Sequence, residues 1–395
     1  MAPLKILRTI FRVGLMHSHA ARYAACVVLA CSVAVVVAVP VFGQTTETTA
    51  TLVGAGDIAK KLYRPLPPYC ATPDEVDPSR RNYAAQTAAL LANVTNNNTT
   101  GTVIAVGDNA YPSGRPAEYA NCYDNYKLSD YSIFDDRTDW WGQYKARTMP
   151  VLGNHEYQNC DDDNDPECER SKPYFDYFSA QNGFQQPAAP VPNDPANNQF
   201  GLTFGAGYYS YDLGSWHIVA LNSNCNKVGG CDASSPQGRW LRNDLKAHPA
   251  DCTLAYFHHP LYATGNGTNT PEVMPFWRIL YAKGADVILS GHAHRYERHA
   301  PITPEGELNP NNGIRQFVAG TGGEPGGSEI DYNQVPNYQD VLEVVQIGTP
   351  GVLELDLHSP DLQHPKGSYS WKFHGVPDVP IVGQTFTDQG SDNCH

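Results

Sequence analysis

Five times between Thr51 and His294 a short apolar run stops on a polar side chain able to bind a metal ion. Thr51-Leu52-Val53-Gly54-Ala55-Gly56 delivers Asp57, and Thr102-Val103-Ile104-Ala105-Val106-Gly107 delivers Asp108. Thr148-Met149-Pro150-Val151-Leu152-Gly153 delivers Asn154, His155 and Glu156, and Cys252-Thr253-Leu254-Ala255-Tyr256-Phe257 delivers His258, His259 and Pro260. The last run, Ala285-Asp286-Val287-Ile288-Leu289, leads through Ser290 and Gly291 to His292-Ala293-His294. Runs this short suit buried strands better than helices. Alternation along an extended chain would send His292 and His294 to one side, each available to a different metal.

Helical patterns fall between the runs. Residues 80–93 offer Tyr83, Leu90 and Leu91 to a core, 139–147 carry Trp140, Trp141 and Tyr144, 236–248 turn Trp240, Leu241 and Leu245 inward, and 271–283 feed the last run. Residues 208–222 alternate like a hairpin around Leu213-Gly214, and further strands are expected at 315–319 and 351–357. No internal repeat or linker composition interrupts this order, so 48–395 reads as a single α/β domain. In such sheets ligands gather outside the carboxyl ends of the strands, where all five polar ends could converge. A carboxylate bridging two cations offsets their repulsion, while imidazoles and an amide oxygen fill the remaining positions without excess charge. Two metals held so can turn water into hydroxide near neutral pH and clamp a phosphoryl oxygen.

Charge narrows the partners. The formal net charge is -14, the reverse of a nucleic-acid binder's basic face. Any attraction for phosphate must therefore be local. At the N-terminus Lys5, Arg8, Arg12 and Arg22 precede an apolar run over 24–43, and no acidic residue appears before Glu47. Residues 1–43 are expected to be a cleaved signal peptide, with an uncleaved membrane anchor as the rival and the only route to a membrane. The remainder is then secreted or extracytoplasmic. It keeps Cys70, Cys122, Cys160, Cys168, Cys225, Cys231, Cys252 and Cys394, an even set that reads as disulfides in an exported chain. Proximity favours Cys160–Cys168 and Cys225–Cys231. Asp161, Asp163 and Asp165 alternate like a calcium loop, but Pro166 and Lys172 replace the glycine and glutamate such a loop needs, so a solvated loop is expected.

The ordered blocks GD, GDNAY, GNHE, FHHP and GHAHRYER resemble the calcineurin-like metallophosphoesterases, and within them the purple acid phosphatases. The resemblance runs from about Leu52 to Arg298, with residues 237–245 similar to the family's helix before the fourth block. It implies a four-layer α/β/β/α sandwich of two mixed sheets, with the metal site at the strands' C-terminal ends. It also implies a binuclear centre in which Asp57, Asp108, Tyr111 and His294 hold one metal. Asp108 would bridge to a second, held also by Asn154, His258 and His292, and His155 would contact the phosphate and act as acid or base. Asp57-Ile58-Ala59 lacks the histidine that most calcineurin-like enzymes carry there, and Tyr111 would replace it. A phenolate donor favours Fe(III), paired with a divalent Fe, Zn or Mn.

The chain also departs from the purple enzymes. No histidine occurs in 262–270, where they often have one, which leaves His155, His259 and His299 as candidates for protonating the leaving group. The plant enzymes' N-terminal β-sandwich has no counterpart between residue 43 and Asp57, as expected of a small bacterial-type enzyme. The reading these features support is a secreted phosphomonoesterase acting on small phosphate esters. A phosphodiesterase or nucleotidase on the same site, or a non-catalytic cell-surface binding protein that keeps the fold, are the alternatives.

Overall fold

The computed structural model describes residues 49–59, 83–97, 101–124, 139–158, 171–178, 207–265, 267–324, 326, 329–377 and 385–395. Its strands are β1 (Thr49–Ala55), β2 (Thr102–Val106), β3 (Thr148–Val151), β4 (Tyr209–Leu213), β5 (Trp216–Ala220), β6 (Cys252–Tyr256), β7 (Val287–Ser290), β8 (Arg295–Ile302), β9 (Ile314–Ala319), β10 (Leu342–Ile347), β11 (Gly351–His358), β12 (Ser368–Gly375) and β13 (Thr387–Asn393). They form two sheets, ordered β13-β12-β11-β1-β2-β3 and β10-β8-β9-β7-β6-β5-β4. Both are mixed. β1, β2 and β3 run parallel with β11 to β13 added antiparallel, and β5, β6, β7 and β9 run parallel between antiparallel flanks.

The period of two along each strand explains the layering. Leu52, Ile104 and Val106 point into the core between the sheets, where they meet Ile218, Leu254, Leu289, Phe317 and Leu355. Their neighbours Val53, Val103 and Ala105 point the other way, against Ala84, Ala88, Leu91 and Val94 of the helix Ala84–Asn97. On the second sheet Val219, Ala255 and Ile288 face the helices Pro236–Ala247 and Met274–Tyr281 through Leu241, Leu245, Phe276 and Leu280. Strands covered on both faces need apolar residues at every position, so these read as continuous runs rather than alternating ones. Helix, sheet, sheet, helix is the four-layer α/β/β/α order expected.

Several elements differ from expectation. Residues 141–147 form a 3-10 helix, not an α-helix, and it leads directly into β3 at Thr148. The first helix is Ala84–Asn97, later than 80–93, and it takes in Asn96 and Asn97. The last helical stretch is split into a 3-10 turn, Pro271–Val273, and the α-helix Met274–Tyr281, and its amide-free Pro275 falls in the α-helix's first turn, where no partner is needed. Strand β8 begins immediately after His294, and β10, β12 and β13 carry no strong apolar run by which to read them. Cys225–Cys231 is bonded, and so is Cys252–Cys394, a pair 142 residues apart. The Cys160–Cys168 pairing, the acidic loop at 161–167 and segment 1–43 lie outside the described residues. Among the described residues no helix is long and apolar enough to cross a membrane.

Candidate metal centre

All five polar ends do meet. Asp57, Asp108 and Asn154 follow β1, β2 and β3 of one sheet, and His258 and His292 follow β6 and β7 of the other. Backbone bonds knit the loops together. Asp57 N–H donates to Gly107 O at 3.0 Å, Gly291 N–H to His258 O at 2.9 Å, and Gly56 N–H crosses between sheets to Ala319 O at 2.9 Å. Three of the five residues adopt left-handed backbone: Asp57 (φ 61°), Asp108 (φ 51°) and His292 (φ 67°). Non-glycine residues resist that region by about 1–2 kcal/mol each, so the surrounding bonds must hold them there. The turn at His292 also corrects one expectation. His292-Ala293-His294 is a bend and not the extension of a strand, and tertiary contacts rather than alternation bring its two imidazoles to the site.

Around Asp57 the oxygen donors are dense. Tyr111 Oη lies 2.8 Å from Asp57 Oδ1, 3.0 Å from Asp108 Oδ2 and 3.3 Å from His294 Nε2, and His294 Nε2 lies 3.1 Å from Asp57 Oδ1. Around Asp108 the set changes to nitrogen and amide. His258 Nε2 sits 3.2 Å from Asp108 Oδ2 and 3.1 Å from Asn154 Oδ1, with the His292 ring 5.1 Å from that of His258. Asp108 stands between the two groups. Its other oxygen accepts the His155 N–H at 2.9 Å, and the backbone N–H of His292 donates to Asp57 Oδ2 at 2.8 Å. Glycines let the carboxylates in this close. A Cβ on Gly153 would fall 2.1 Å from Asp108 Oδ1, and one on Gly291 2.8 Å from Asp57 Oδ2.

The donor set fits cations. The Val106 carbonyl 2.9 Å from His258 Nδ1 accepts a hydrogen bond there, so Nε2 is the atom turned toward a carboxylate and an amide oxygen and the one able to give its lone pair to a cation. The single Tyr111 hydroxyl proton likewise faces two carboxylates and an imidazole. Both places hold more acceptors than protons. Burial alone would raise Asp108, but His258 and then His155 hold its carboxyl well below the usual range. Burial would lower His258, yet Asp108 and then Asp57 push it up to about 9. Burial and then the charge of His258 bring His292 down to about 4. For Tyr111, burial and the negative charges of Asp108 and Asp57 push the phenol well above its ordinary value, so only a strong cation could ionise it.

Two residues without an assigned part in the sequence reading support this cluster. Glu156 is 2 % exposed and accepts N–H bonds from Gly153 (2.7 Å), Asn109 (2.8 Å) and Asp108 (3.0 Å), plus the Tyr119 hydroxyl at 3.2 Å. It therefore ties the Asp108 loop to the Asn154 loop. Ser223 Oγ accepts the His259 N–H at 3.0 Å and lies 2.7 Å from His259 Nδ1. Ser223 Oγ thus meets His259 through both its backbone N–H and its ring, which fixes the orientation of the imidazole. His259 packs 4.6 Å from the His292 ring. His299, the third candidate acid, is instead fully buried on β8 against Glu297 at 3.2 Å.

A cavity of about 640 Å³ opens beside the cluster, lined among others by Asn154, Tyr157, Ser223, Lys227, His259 and Glu272. A larger hollow of about 840 Å³ is lined by Thr51, Asp356, Trp371 and Lys372 and includes none of the expected ligands. Chemistry, not size, singles out the first.

Comparison with known proteins agrees with the geometry. The family model described as calcineurin-like phosphoesterase matches residues 55–296, more than half of the chain. Purple acid phosphatase 15 of Arabidopsis thaliana is 26% identical over 218 residues, covering 52% of this chain and 36% of the relative. Purple acid phosphatase 22 of the same plant is 30% identical over 138 residues, 33% of this chain and 30% of the relative. The chain thus spans about a third of the length of these curated relatives. A solved purple acid phosphatase from yellow lupin (Lupinus luteus) seeds shares the fold at a TM-score of 0.55 and 16% identity, over 88% of this chain and 54% of that one. With its matched segment carrying every one of these converging donors, the chain belongs to the calcineurin-like phosphoesterase family.

Proposed function

We propose that the protein is a secreted phosphomonoesterase with a binuclear centre, Fe(III) beside a divalent ion. The observation that carries this reading is Asp108, buried between an oxygen-rich group (Asp57, Tyr111, with His294) and a nitrogen and amide group (Asn154, His258, His292). Asp57, Asp108, Tyr111 and His294 would hold the harder ion, and Asp108, Asn154, His258 and His292 the softer. Such a pair supplies hydroxide near neutral pH and positive charge against the phosphoryl oxygens.

The chain's own side chains do the rest. His155 Nδ1 lies 2.7 Å from the Pro112 carbonyl, so Nδ1 carries a proton and Nε2 is the atom that, in the imidazolium form, would donate to a phosphate oxygen. Its ring is 4.3 Å from that of Tyr111 and its side chain is 22 % exposed, at the border of cluster and solvent. Hydrolysis breaks the bond from phosphorus to the ester oxygen, and the departing alkoxide needs a proton. His155 is the donor at hand, since burial and then the charges of His258 and His292 hold the His259 ring well below its ordinary value and so neutral. Lys227 gives an otherwise acidic protein a cation on the cavity wall. The Cys225–Cys231 and Cys252–Cys394 disulfides support an extracytoplasmic location.

The test combines composition and turnover. Purified protein should carry two metal ions, absorb visible light, and hydrolyse p-nitrophenyl phosphate faster than its bis ester. Asp108→Asn should lose both ions and all turnover, and Tyr111→Phe should bleach the absorption. Two retained ions in Asp108→Asn, or no turnover of either ester by fully metallated wild type, would overturn the reading, and faster turnover of the bis ester would make it a diesterase.

A further inference from the structure

A second cluster of metal-capable side chains lies at the opposite end of the second sheet, where the parallel strands begin. The β4–β5 hairpin, turning at Gly214, pairs Asp212 directly opposite His217. The helix Pro236–Ala247 ends above them, with His248 as its C-terminal capping residue, its N–H donated to Asp244 O. His217 is 1 % exposed, its Nδ1 is 2.8 Å from Asp212 Oδ1, and its Nε2 is 2.9 Å from Asp244 Oδ2. The His248 ring lies parallel to that of His217, 5.2 Å away. One ligand atom from each of Asp212, His217 and His248 falls within 4.8 Å of the other two.

We propose that Asp212, His217 and His248 bind a borderline divalent transition-metal ion such as Zn(II), independently of the catalytic centre. Asp244 supplies what a plain surface cluster lacks. It is 7 % exposed, its Oδ1 accepts the Ser210 hydroxyl at 2.7 Å, and its Oδ2 receives His217 Nε2–H. Histidines that ligate metals through one ring nitrogen are commonly oriented this way by a carboxylate on the other. That leaves Nδ1 to the metal, beside the carboxylate of Asp212. Zinc takes imidazole and carboxylate donors at about 2.0–2.2 Å, so an ion seated here would replace the His217–Asp212 hydrogen bond and draw the His248 ring inward. Asp212 is 65 % exposed, which leaves the fourth position to water. An ion here would clip the edge of the sheet to the end of a helix. A purely structural ion pair would need His217 and its two carboxylates but would make no use of His248.

The experiment is a zinc titration of holoenzyme already saturated at its catalytic centre, read by bound zinc per chain and by Tm. Wild type should take up one further ion with a rise in Tm, since a ligand that binds only the native state stabilises it. His248→Ala and Asp212→Asn, both at exposed positions, should lose that ion and the rise while hydrolysing substrate as before. Asp244→Asn should weaken zinc binding about 10- to 100-fold without removing a ligand. Equal uptake by wild type and His248→Ala, or no uptake beyond the catalytic ions in wild type, would overturn the proposal.

Discussion

Glu156 shows how much one side chain can carry without touching substrate. Its two oxygens accept from three backbone N–H groups, the Asn109 side-chain amide at 3.3 Å and a tyrosine hydroxyl. Only an ionised carboxylate offers acceptors alone at both positions. Burial, and then the nearby Asp108 charge, push its carboxyl above the ordinary value, while the Gly153 and Asn109 N–H groups oppose that shift. Glu156→Gln would turn an amide N–H2 toward buried donors, which should cost about 3 kcal/mol in a urea melt. It should also weaken metal retention, because Asp108 and Asn154 sit on the loops that Glu156 joins. An unchanged melt would show that the loops hold without it. The residue stands within the quoted GNHE block, yet no sequence pattern marks a side chain whose partners are the backbones of two separate loops.

At the scale of elements, the disulfides differ in how far they reach. Cys225–Cys231 joins cysteines 6 positions apart beside the cavity that includes Asn224, Cys225 and Lys227 on its wall. Cys252–Cys394 fastens the start of β6 to the residue after β13, joining the two sheets across 142 residues of chain. Loop-closure entropy makes the longer bridge the more stabilising, at about 5 kcal/mol against about 2 kcal/mol for the short one. Cys252→Ser/Cys394→Ser should therefore lower Tm far more than Cys225→Ser/Cys231→Ser, while the short-bridge variant should raise KM by loosening the cavity wall. A calorimetric scan and a substrate curve check both, and equal Tm losses would contradict the entropic account. Spacing made the short pair readable, whereas the long one depended on which strands become neighbours.

For the molecule as a whole, the site is where the two sheets' carboxyl ends meet. Buried carboxylates and left-handed residues concentrate there, so bound cations and fold stability are expected to be linked. Stripping the metals with chelator and reductant should lower Tm, and adding them back should restore it by an amount that grows with free metal concentration. A melt insensitive to metal would separate the centre from the fold.

The sequence by itself determined where strands stop and which donor chemistry stands at each stop, because strand period and turn composition are local properties. Asp57, Asp108, Asn154, His258 and His292 could be read from it residue by residue. Only the tertiary structure decided that His292 turns left-handed, that Ser223 meets the His259 ring, and that Asp244 stands behind His217. Those distances are set by the packing of two sheets and their helices, which bring together residues that no spacing along the chain relates.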